Sequence, residues 1–360
     1  MPGLNVGIIG TGSMAAAHAE AFRRVRGVRV AACLDVVPGR AEAFALRHGI
    51  PLATPQRSAL FDAVDAVSIV TPDAFHAEQA IAALDAGKHV LCEKPLAVTL
   101  DEARAVARAA ARRPDLVGMV NFSYRRSSAM QAATRVVASG RLGDLRHVQA
   151  HYLQSWLSAD MWGHWSSERF LWRLQTAAGS GGVLGDVGVH IMDLASAVAG
   201  PVARVRCDLR TYPKIAGGKR HTRWKGKALD ANDTALVTLD FVDGASGVVQ
   251  ATRWATGHTN HLRLEVHGTR GALRFDLDES YQRLQLCVGR DVHRSTWRSR
   301  DFAPGPDIWQ RFCRAIRTRR HEQPDLLRGA VVQAQLDACL RSARSGNWER
   351  VAAVGERAAA

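Results

Sequence analysis

The first 122 residues alternate between short apolar runs and longer stretches with helical spacing of their apolar positions. Such short apolar runs are typical of strands buried on both faces. They predict strands at Leu4–Ile9, Val28–Leu34, Ala66–Val70, Lys88–Cys92 and Leu116–Phe122. The stretches between them predict helices at Gly12–Val25, Arg40–His48, His76–Ala86 and Leu100–Arg113. Regular alternation implies parallel strands with right-handed crossovers, so residues 1–122 are expected to form a doubly wound Rossmann domain.

Beyond residue 122 the pattern changes, and most apolar runs have strand character with short turns between them. Helices are predicted at Ser128–Ser139, near Asp186–Val198, at Ile308–Arg319 and at Gly329–Ser345. Strands are predicted around Arg146–His151, and at Val202–Leu209, Thr234–Phe241, Ser246–Arg253, Leu262–His267 and Ala272–Leu277. Short connections favour antiparallel pairing. Residues 123–360 are therefore predicted to form a second α/β domain.

The composition of the 360-residue chain is that of a globular protein, with 47% hydrophobic residues. Its six cysteines are scattered without a CxxC pair, so we expect no zinc motif, no metal site and a reducing compartment. The N-terminal residues Met1–Val6 lack the pattern of a secretory signal, and no apolar run approaches membrane-spanning length. These features predict a cytoplasmic protein without a membrane partner.

The net charge of +14 raises the question of nucleic-acid binding. Arginine is spread over the whole chain, with two denser stretches, Arg210–Lys227 and Arg314–His321. The first holds seven Lys or Arg residues and no acidic residue. We interpret the charge as an arginine-rich surface rather than a nucleic-acid interface. The first stretch is also long for a sheet connection. Its role stays open: it could cover the site, contact a neighbouring subunit or bind a charged substrate group.

A glycine-rich turn follows the first predicted strand, with the sequence Gly10-Thr11-Gly12-Ser13-Met14-Ala15. In a G-x-G-x-x-A turn the first glycine permits a tight bend, the second admits a pyrophosphate, and the helix N-terminus faces the phosphates. Asp35 lies 20 residues past Ala15, at the end of the second predicted strand, where a ribose-binding acid is expected. A carboxylate there repels a 2′-phosphate, so we predict NAD as cofactor, with NADP possible if Arg40 offsets that repulsion.

Two further segments follow predicted strands at the carboxyl edge of the same sheet, where ligands bind in open α/β folds. One begins with Thr71-Pro72 and reaches His76, which is either a cofactor contact or simply a helix-start residue. The other contains Glu93-Lys94-Pro95. The proline biases Lys94 away from helical geometry, which holds its charge on a fixed loop beside the cofactor.

These motifs, in this order, resemble the glucose–fructose oxidoreductase, inositol dehydrogenase and rhizopine-catabolism (Gfo/Idh/MocA) family over essentially the whole chain. The most specific segments are Gly87–Pro95, which ends in Glu-Lys-Pro, and Gly181–His190, which carries a D-x-x-x-H pair after glycines. The resemblance implies a Rossmann domain followed by an α/β domain with a large, mostly antiparallel sheet. It also implies substrate binding between that sheet and the nicotinamide. It further implies sugar or cyclitol substrates and a homo-oligomer, either a dimer or a tetramer.

Carried over by position, the resemblance makes Lys94, Asp186 and His190 the catalytic residues. Their chemistry fits alcohol oxidation, because His190 can accept the hydroxyl proton and Lys94 can stabilise the developing alkoxide. Asp186 lies four residues before His190, on the same face of a predicted helix, where it can hold a neighbouring hydroxyl or tune the pair. One position departs from the family pattern, because Val183 replaces the third glycine before the aspartate.

Weaker predictions concern residues flanking these motifs. The resemblance places Trp172 and Arg173 at the cofactor or substrate edge, and we expect Tyr124 or Arg125 to contact the site at the domain junction. Sugar-stacking and core packing are both open for the aromatic side chains Trp156, Trp162 and Trp165. A substrate contact is also predicted for a segment of the second domain that contains His258 and Asn260.

The sequence thus favours an NAD-dependent dehydrogenase that oxidises a secondary hydroxyl of a sugar, anhydrosugar or cyclitol. The alternative enzymatic function is that of a keto-sugar reductase that uses NADPH. A non-catalytic cofactor- or nucleic-acid-binding regulator is a third possibility. The presence of Lys94, Asp186 and His190 argues against that third possibility, because a binding module needs no proton-transfer residues.

Overall fold

The computed structural model describes residues 3–355; Met1 and Pro2, which were part of the signal-peptide argument, lie outside this range. The chain forms two compact units. The first contains the chain as far as Ser123, together with Pro306–Gln333 and the segment from Ala353 onward. The second contains Tyr124–Gly305 and Ala334–Ala352. The predicted linear division into residues 1–122 and 123–360 does not describe this return of the chain to the first unit.

The first unit contains a six-stranded parallel sheet in the order β3-β2-β1-β4-β5-β6. Its strands are β1 (Leu4–Ile9), β2 (Val28–Leu34), β3 (Leu52–Thr54), β4 (Ala66–Ile69), β5 (His89–Cys92) and β6 (Gly118–Val120). The central strands are buried on both faces, since Ile8 and Ile9 are both 0% exposed although they point to opposite sides. The order reverses between β1 and β4, and this switch point is where such sheets bind ligands, at the carboxyl ends of the strands. The predicted Rossmann fold is confirmed.

The helices within residues 3–122 include the four predicted ones, at about the predicted positions, and one further short helix. They are α1 (Ala15–Arg23), α2 (Arg40–His48), α3 (Arg57–Asp62), α4 (His76–Asp85) and α5 (Leu100–Ala111). The Thr99 side chain accepts a hydrogen bond from the Glu102 N–H, and the Glu102 carboxylate accepts one from the Thr99 N–H. This capping box starts α5. The short elements β3 and α3 were not predicted, because three and six residues are too few to show a clear period.

The second unit contains a nine-stranded sheet in the order β18-β17-β16-β15-β7-β14-β13-β8-β19. Its strands are β7 (Leu145–Leu153), β8 (Val202–Arg210), β13 (Thr234–Phe241), β14 (Ser246–Thr252), β15 (His261–Gly268), β16 (Gly271–Asp276), β17 (Arg283–Val288), β18 (Arg298–Asp301) and β19 (Glu349–Arg350). All neighbours are antiparallel except the parallel pair β7 and β14, which confirms the expected mostly antiparallel sheet. The strands β17, β18 and β19 were not predicted.

The two faces of this sheet differ, as the alternation along its strands requires. Tyr152 on β7 pairs with Leu262 on β15, and both are buried on the face covered by the helix α8 (Val189–Ala199). The next pair, His151 and Arg263, lies on the opposite face and is partly exposed. Asp276 on β16 continues this second face.

The remaining helices are α6 (Ser128–Ala138), α7 (Glu168–Leu171), α8 (Val189–Ala199), α9 (Ile308–Thr318) and α10 (Leu326–Ser345). The basic stretch predicted as one long connection folds into two small hairpins, β9 (Lys214–Ala216) with β10 (Lys219–His221), and β11 (Arg223–Trp224) with β12 (Lys227–Ala228). Short 3₁₀ segments occupy Asp73–Phe75, Ser123–Arg126, Trp172–Leu174, Thr176–Ala178 and Gly289–Arg294, and a π-helical turn spans Leu184–Gly188.

All six cysteines are buried and free. Within residues 3–355, no helix combines the length and apolarity needed to cross a bilayer.

Candidate active site

The glycine-rich turn after β1 is shaped by the backbone of Gly10, which has φ +91°. A Cβ at this position would lie 2.9 Å from the Thr71 nitrogen, so both the conformation and the space require glycine. At Gly12 a Cβ would meet no atom within 4 Å among the described residues, which leaves room for a ligand to approach the backbone. Ser13 and Met14 are exposed and lead directly into α1.

Asp35 is held against this turn at the end of β2. Its Oδ2 accepts from the Thr11 N–H at 2.9 Å and from the Thr11 hydroxyl at 2.7 Å, and its Oδ1 accepts from the Val37 N–H. Burial alone would raise the pKa of Asp35, but these hydrogen bonds and the charge of Arg40, 3.9 Å away, lower it below its ordinary value. The carboxylate is therefore ionised where the ribose-binding acid is expected.

His76 joins the two loops that follow β4 and β5. Its Nδ1 lies 2.7 Å from the Pro95 carbonyl and its Nε2 lies 2.9 Å from the Thr71 carbonyl, with the side chain 1% exposed. Its ring nitrogens therefore contact protein backbone, and any effect on a cofactor acts through the position of these loops. The Thr71 hydroxyl, next to the exposed Pro72, is buried and has no hydrogen-bond partner among the described residues.

Glu93 leaves β5 and is held as a carboxylate inside the first unit. Its Oε1 accepts from His18 Nε2 at 2.8 Å and from the Asn121 side-chain amide. Burial raises its pKa, but the His18 hydrogen bond, the Lys94 charge and the Asn121 hydrogen bond are among the causes that lower it to about 2. Lys94 follows directly, its N–H donates to Glu93 Oε2 at 3.2 Å, and the Lys94–Pro95 peptide is cis.

The orientation of His18 is fixed by Trp309 on α9. The indole N–H lies 3.2 Å from His18 Nδ1, and Ser68 Oγ lies 2.7 Å from the same nitrogen. Because an indole nitrogen can only donate, Nδ1 is the acceptor and the ring proton sits on Nε2, facing Glu93. Sequence reasoning missed both residues, although His18 is a histidine on the buried face of the helix that follows the glycine-rich turn.

These features fit NAD in the first unit. The open space at Gly12 and the start of α1 suit a pyrophosphate, the ionised Asp35 suits ribose hydroxyls, and the unpartnered Thr71 hydroxyl offers a further polar contact at the same sheet edge.

In the second unit, the glycine-rich segment before Asp186 is closed by Asn232. Gly182 has φ +65°, and a Cβ there would lie 2.4 Å from the Asn232 side chain, so glycine is required. Val183 has φ −63°, is fully buried and donates its N–H to the Asn232 carbonyl at 2.7 Å. Val183 replaces the third glycine of the family pattern, and its backbone angle is one that any residue can adopt, so glycine is not required there.

Asp186 lies in the π-helical turn, one segment before His190 in the first turn of α8. It accepts from Arg253 Nη2 at 2.9 Å, and Arg173 Nε lies 3.8 Å from the same oxygen. The Arg253 side chain is fully buried, stacks over Trp156 at 4.9 Å and also donates to the Gly182 and Arg173 carbonyls. Sequence reasoning missed Arg253, which it placed as the last residue of a strand.

His190 faces a group of neutral hydrogen-bonding side chains. The Tyr124 ring meets the imidazole edge-on at 4.9 Å, and the Tyr124 and Tyr152 hydroxyls are 2.6 Å apart. Asn260 donates to the Tyr124 hydroxyl at 2.8 Å, and Gln154 donates to Asn260 Oδ1 at 2.9 Å. We call Tyr124, Tyr152, Gln154 and Asn260 the tyrosine–amide network. Burial keeps the pKa of Tyr152 well above its ordinary value, so its phenol stays protonated.

A model of the oxidoreductase family with an NAD-binding Rossmann fold matches residues 4–122, and a model of the GFO/IDH/MocA C-terminal domain matches residues 130–274. The chain belongs to the Gfo/Idh/MocA oxidoreductase family.

Its relatives in this family include sugar and anhydrosugar enzymes. Levoglucosan dehydrogenase of Pseudarthrobacter phenanthrenivorans is 31% identical, over 97% of this chain and 98% of the relative. The 1,5-anhydro-D-fructose reductase of Ensifer adhaerens is 31% identical over 74% of each chain. A solved levoglucosan dehydrogenase with NADH and L-sorbose superimposes with a TM-score of 0.85 at 30% identity, over 98% of this chain and 100% of the other. An oxidoreductase domain protein from Kribbella flavida gives 0.84 at 32% identity with the same coverage. The first unit of this Gfo/Idh/MocA chain is thus an NAD-binding domain.

The Gfo/Idh/MocA site residues predicted from sequence fall into different environments. Arg125 forms a two-bond ion pair with the buried Asp193, at 2.7 and 2.6 Å, so its charge is already engaged. His258 stacks on His261, whereas its predicted companion Asn260 joins the tyrosine–amide network. Tyr152 and Gln154 of that network were not predicted, because strand alternation alone does not identify their partners.

The aromatic residues of the second unit separate into core and surface. Trp165 is 2% exposed, donates to the Ile215 carbonyl and packs against Trp224, which corrects its assignment as a sugar-stacking residue in favour of core packing. Trp156 belongs to the same core cluster. Trp162 is 42% exposed and Trp172 is 37% exposed, so both remain accessible to a ligand.

The basic stretch contains one residue that is part of the core. Lys214 is fully buried, and its ammonium donates to Asp233 at 2.6 Å and to the Tyr212 carbonyl at 2.7 Å. The ion pair thus holds the start of β9, the first strand of the β9–β10 hairpin, in the interior of the second unit.

Proposed function

We propose that the chain is an NAD-dependent dehydrogenase that oxidises a secondary hydroxyl of an uncharged pyranose or anhydropyranose sugar. The observation that carries this proposal is the likeness to levoglucosan dehydrogenase over nearly the whole chain. A second solved form of that enzyme, with NADH and levoglucosan, gives a TM-score of 0.85 over 97% of this chain.

The chemistry around His190 supports an uncharged substrate. The tyrosine–amide network offers hydroxyls and amides, which can donate to and accept from the many hydroxyls of a sugar ring. The charged neighbour Arg125 is neutralised by Asp193, and the charge of Arg253 by Asp186. Because each of these two arginines already pairs with an aspartate, neither offers a free positive charge to a phosphate or carboxylate group. Uncharged sugars are therefore favoured over sugar phosphates and sugar acids.

The proposed reaction needs one hydride acceptor and one proton acceptor. NAD⁺, when bound, supplies the nicotinamide that takes the hydride from the substrate carbon. His190 accepts the hydroxyl proton, so the C–H bond gives up its electron pair while the O–H bond breaks and a ketone forms. Lys94 provides the positive charge that stabilises the oxygen as its proton leaves. Asp186 is 32% exposed and accepts a hydrogen bond from a neighbouring substrate hydroxyl.

The test is an absorbance assay of nicotinamide reduction that crosses NAD⁺ and NADP⁺ with a sugar panel. The panel contains levoglucosan, glucose, a methyl glucoside, myo-inositol, glucose 6-phosphate and glucuronate. We expect turnover with NAD⁺ and an uncharged pyranose, and a loss of about 10²–10⁴-fold in kcat for His190→Ala. Turnover restricted to inositol or to the charged sugars would overturn the substrate class. Near-normal kcat in His190→Ala would overturn the role of the base.

A reductase acting on a keto-sugar is the second candidate, supported by the likeness to 1,5-anhydro-D-fructose reductase. It uses the same residues, with His190 as the proton donor. Oxidation of NADH by 1,5-anhydrofructose, without reduction of NAD⁺ by any sugar in the panel, would favour this direction.

A further inference from the structure

A cluster of potential metal ligands lies in the second unit, next to Asn260 of the tyrosine–amide network. His258, His261 and Asp278 each offer a ligand atom, and these atoms lie within 4.8 Å of one another. His261 is the first residue of β15 and alternates with the buried Leu262, so it lies on the sheet face opposite Leu262. The sequence predicted no metal site because it lacks paired cysteines, but two histidines three residues apart at the start of a strand are also possible ligands.

The hydrogen bonding of His261 prepares one of its nitrogens for a metal ion. Its Nε2 lies 2.7 Å from Asp276 Oδ2, and a carboxylate can only accept, so Nε2 carries the proton. The Nδ1 lone pair therefore points away from Asp276. A histidine that donates one N–H to a carboxylate while its other nitrogen binds a metal ion is the usual arrangement in zinc proteins.

The spacing of the two imidazoles suits a shared ion. His261 Nδ1 and His258 Nδ1 are 3.1 Å apart and share a hydrogen bond, in which His258 is the donor because His261 Nδ1 carries no proton. A metal ion bound here replaces that proton. Two nitrogens that each lie about 2.0–2.1 Å from one zinc ion at a tetrahedral angle are separated by about 3.3 Å. Asp278 is exposed, so its carboxylate can turn towards the same point without disturbing packed side chains.

A third histidine stands beside this pair. The His151 ring meets the His261 ring edge-on at 4.7 Å, and its Nε2 is buried without a hydrogen-bond partner in the described part of the chain. A buried polar atom without a partner is costly, and a water or ion is one of the partners that can satisfy it. The neighbouring Arg263 directs its guanidinium to Glu265, which also faces Arg274 and His267.

We propose that His258, His261 and Asp278 bind a divalent transition-metal ion of the zinc type. Imidazole nitrogens favour zinc, nickel or copper over magnesium and calcium, which prefer all-oxygen sites. Three protein ligands leave a fourth position for water or for His151.

Binding of the ion has a consequence for the adjacent residue Asn260. Asn260 lies between the two histidine ligands in sequence and donates to Tyr124 in the tyrosine–amide network. An ion held by His258 and His261 therefore fixes the turn that carries Asn260. Because the ion binds only the folded turn, it also raises the thermal unfolding midpoint.

The experiment uses the full chain purified without a histidine tag and freed of metal by a chelator. Zn²⁺ is titrated by calorimetry, and Co²⁺ is titrated while its visible absorption is recorded. We expect about one ion per chain, tetrahedral cobalt bands and a higher unfolding midpoint with Zn²⁺. His258→Ala and His261→Ala should each abolish all three results. Asp276→Asn keeps every ligand but loses the carboxylate that orients His261, and should weaken zinc binding about 10- to 100-fold.

His293→Ala is the matched control, because His293 is an exposed histidine of the same unit outside the cluster. It should bind Zn²⁺ as the unchanged chain does. Circular dichroism confirms that each variant is folded, and Asp276→Asn provides a test that does not remove a ligand. Equal zinc affinity in the unchanged chain, His258→Ala and His261→Ala would overturn the proposal, as would octahedral cobalt spectra that do not respond to these substitutions.

Discussion

The indole N–H of Trp309 donates to Nδ1 of His18 over 3.2 Å, although the two residues are 291 positions apart in sequence. This contact determines which nitrogen of His18 carries the proton, and that proton faces Glu93. The Glu-Lys-Pro segment is thus positioned by a histidine from α1 and a tryptophan from α9, both in the first unit.

The first prediction concerns the pH dependence of stability through Glu93. Its pKa is lowered from 4.5 to about 2 in the folded chain, so it adds stability above about pH 5 that is lost as the pH falls through 4.5 towards 2. The difference between these values corresponds to about 3 kcal/mol. His18→Ala should lower the free energy of unfolding at pH 7 by part of this amount, because Lys94 and Asn121 also lower the pKa of Glu93. The difference from the unchanged chain should shrink towards pH 2.

Urea unfolding at a series of pH values measures this effect. Trp309→Phe is the intermediate variant, because it keeps His18 but removes the indole donor that directs the His18 proton towards Glu93. Its loss of stability at pH 7 should be smaller than that of His18→Ala and should also shrink towards low pH. A His18→Ala curve that runs parallel to that of the unchanged chain would show that Glu93 does not depend on His18.

The second prediction concerns Arg253, the buried partner of Asp186. Arg253→Met removes the hydrogen bonds that Arg253 donates to Asp186 and to two backbone carbonyls, which should cost about 3–5 kcal/mol of unfolding free energy. Arg253→Lys keeps the charge but loses the planar fork, so it should lower kcat at least about tenfold with a smaller loss of stability.

Thermal unfolding and steady-state kinetics of the proposed reaction separate these effects. Arg206→Lys is the control, since Arg206 is an exposed arginine on β8 of the same sheet. It should change neither quantity by more than about 0.5 kcal/mol. If Arg253→Lys retained full kcat, Arg253 would support only the fold and would not position Asp186.

The third prediction concerns the cofactor preference set by Asp35. Asp35→Ala removes the carboxylate that suits ribose hydroxyls and repels a 2′-phosphate, and it releases Arg40 for a phosphate contact. The kcat/KM with NAD⁺ should fall at least about tenfold, and the ratio of NADP⁺ to NAD⁺ should rise. Glu42→Ala, at an exposed acid on α2, should leave both values unchanged. An unaltered ratio in Asp35→Ala would place the cofactor selection elsewhere.

The fourth prediction separates the two tryptophans that were both considered for sugar stacking. Trp165→Ala should lower the unfolding free energy by about 3–5 kcal/mol, because the side chain is 2% exposed. Trp162→Ala should change stability by less than about 0.5 kcal/mol but raise the sugar KM about fivefold if its ring covers the substrate. A stable Trp165→Ala, or an unchanged KM in Trp162→Ala, would contradict this division.

The Rossmann sheet could be predicted from sequence because its strands are buried on both faces and separated by helices of clear period. Asp35 and the Glu-Lys-Pro segment could be placed for the same reason, since they directly follow such strands. The helix predicted from Leu100 begins at that residue in α5, and the capping box of Thr99 and Glu102 stabilises this start.

The partners of the site residues could not be predicted in this way. Arg253 reaches Asp186 across 67 positions, and Tyr152 meets Asn260 across 108. Such contacts depend on sheet register, which a single sequence does not specify. Lys214 looked like one charge among many in a basic stretch, and only its burial against Asp233 sets it apart.

The discontinuous first unit has a consequence for biosynthesis. Domains generally fold as the chain emerges, beginning with the N-terminal one. Here the residue that orients His18 belongs to Pro306–Gln333, and this segment leaves the ribosome only after the entire nine-stranded sheet except β19 has been translated. The first unit therefore stays incomplete until most of the chain has been synthesised. A premature stop before residue 306 would release a chain that lacks Trp309, so that His18 would not be oriented towards Glu93.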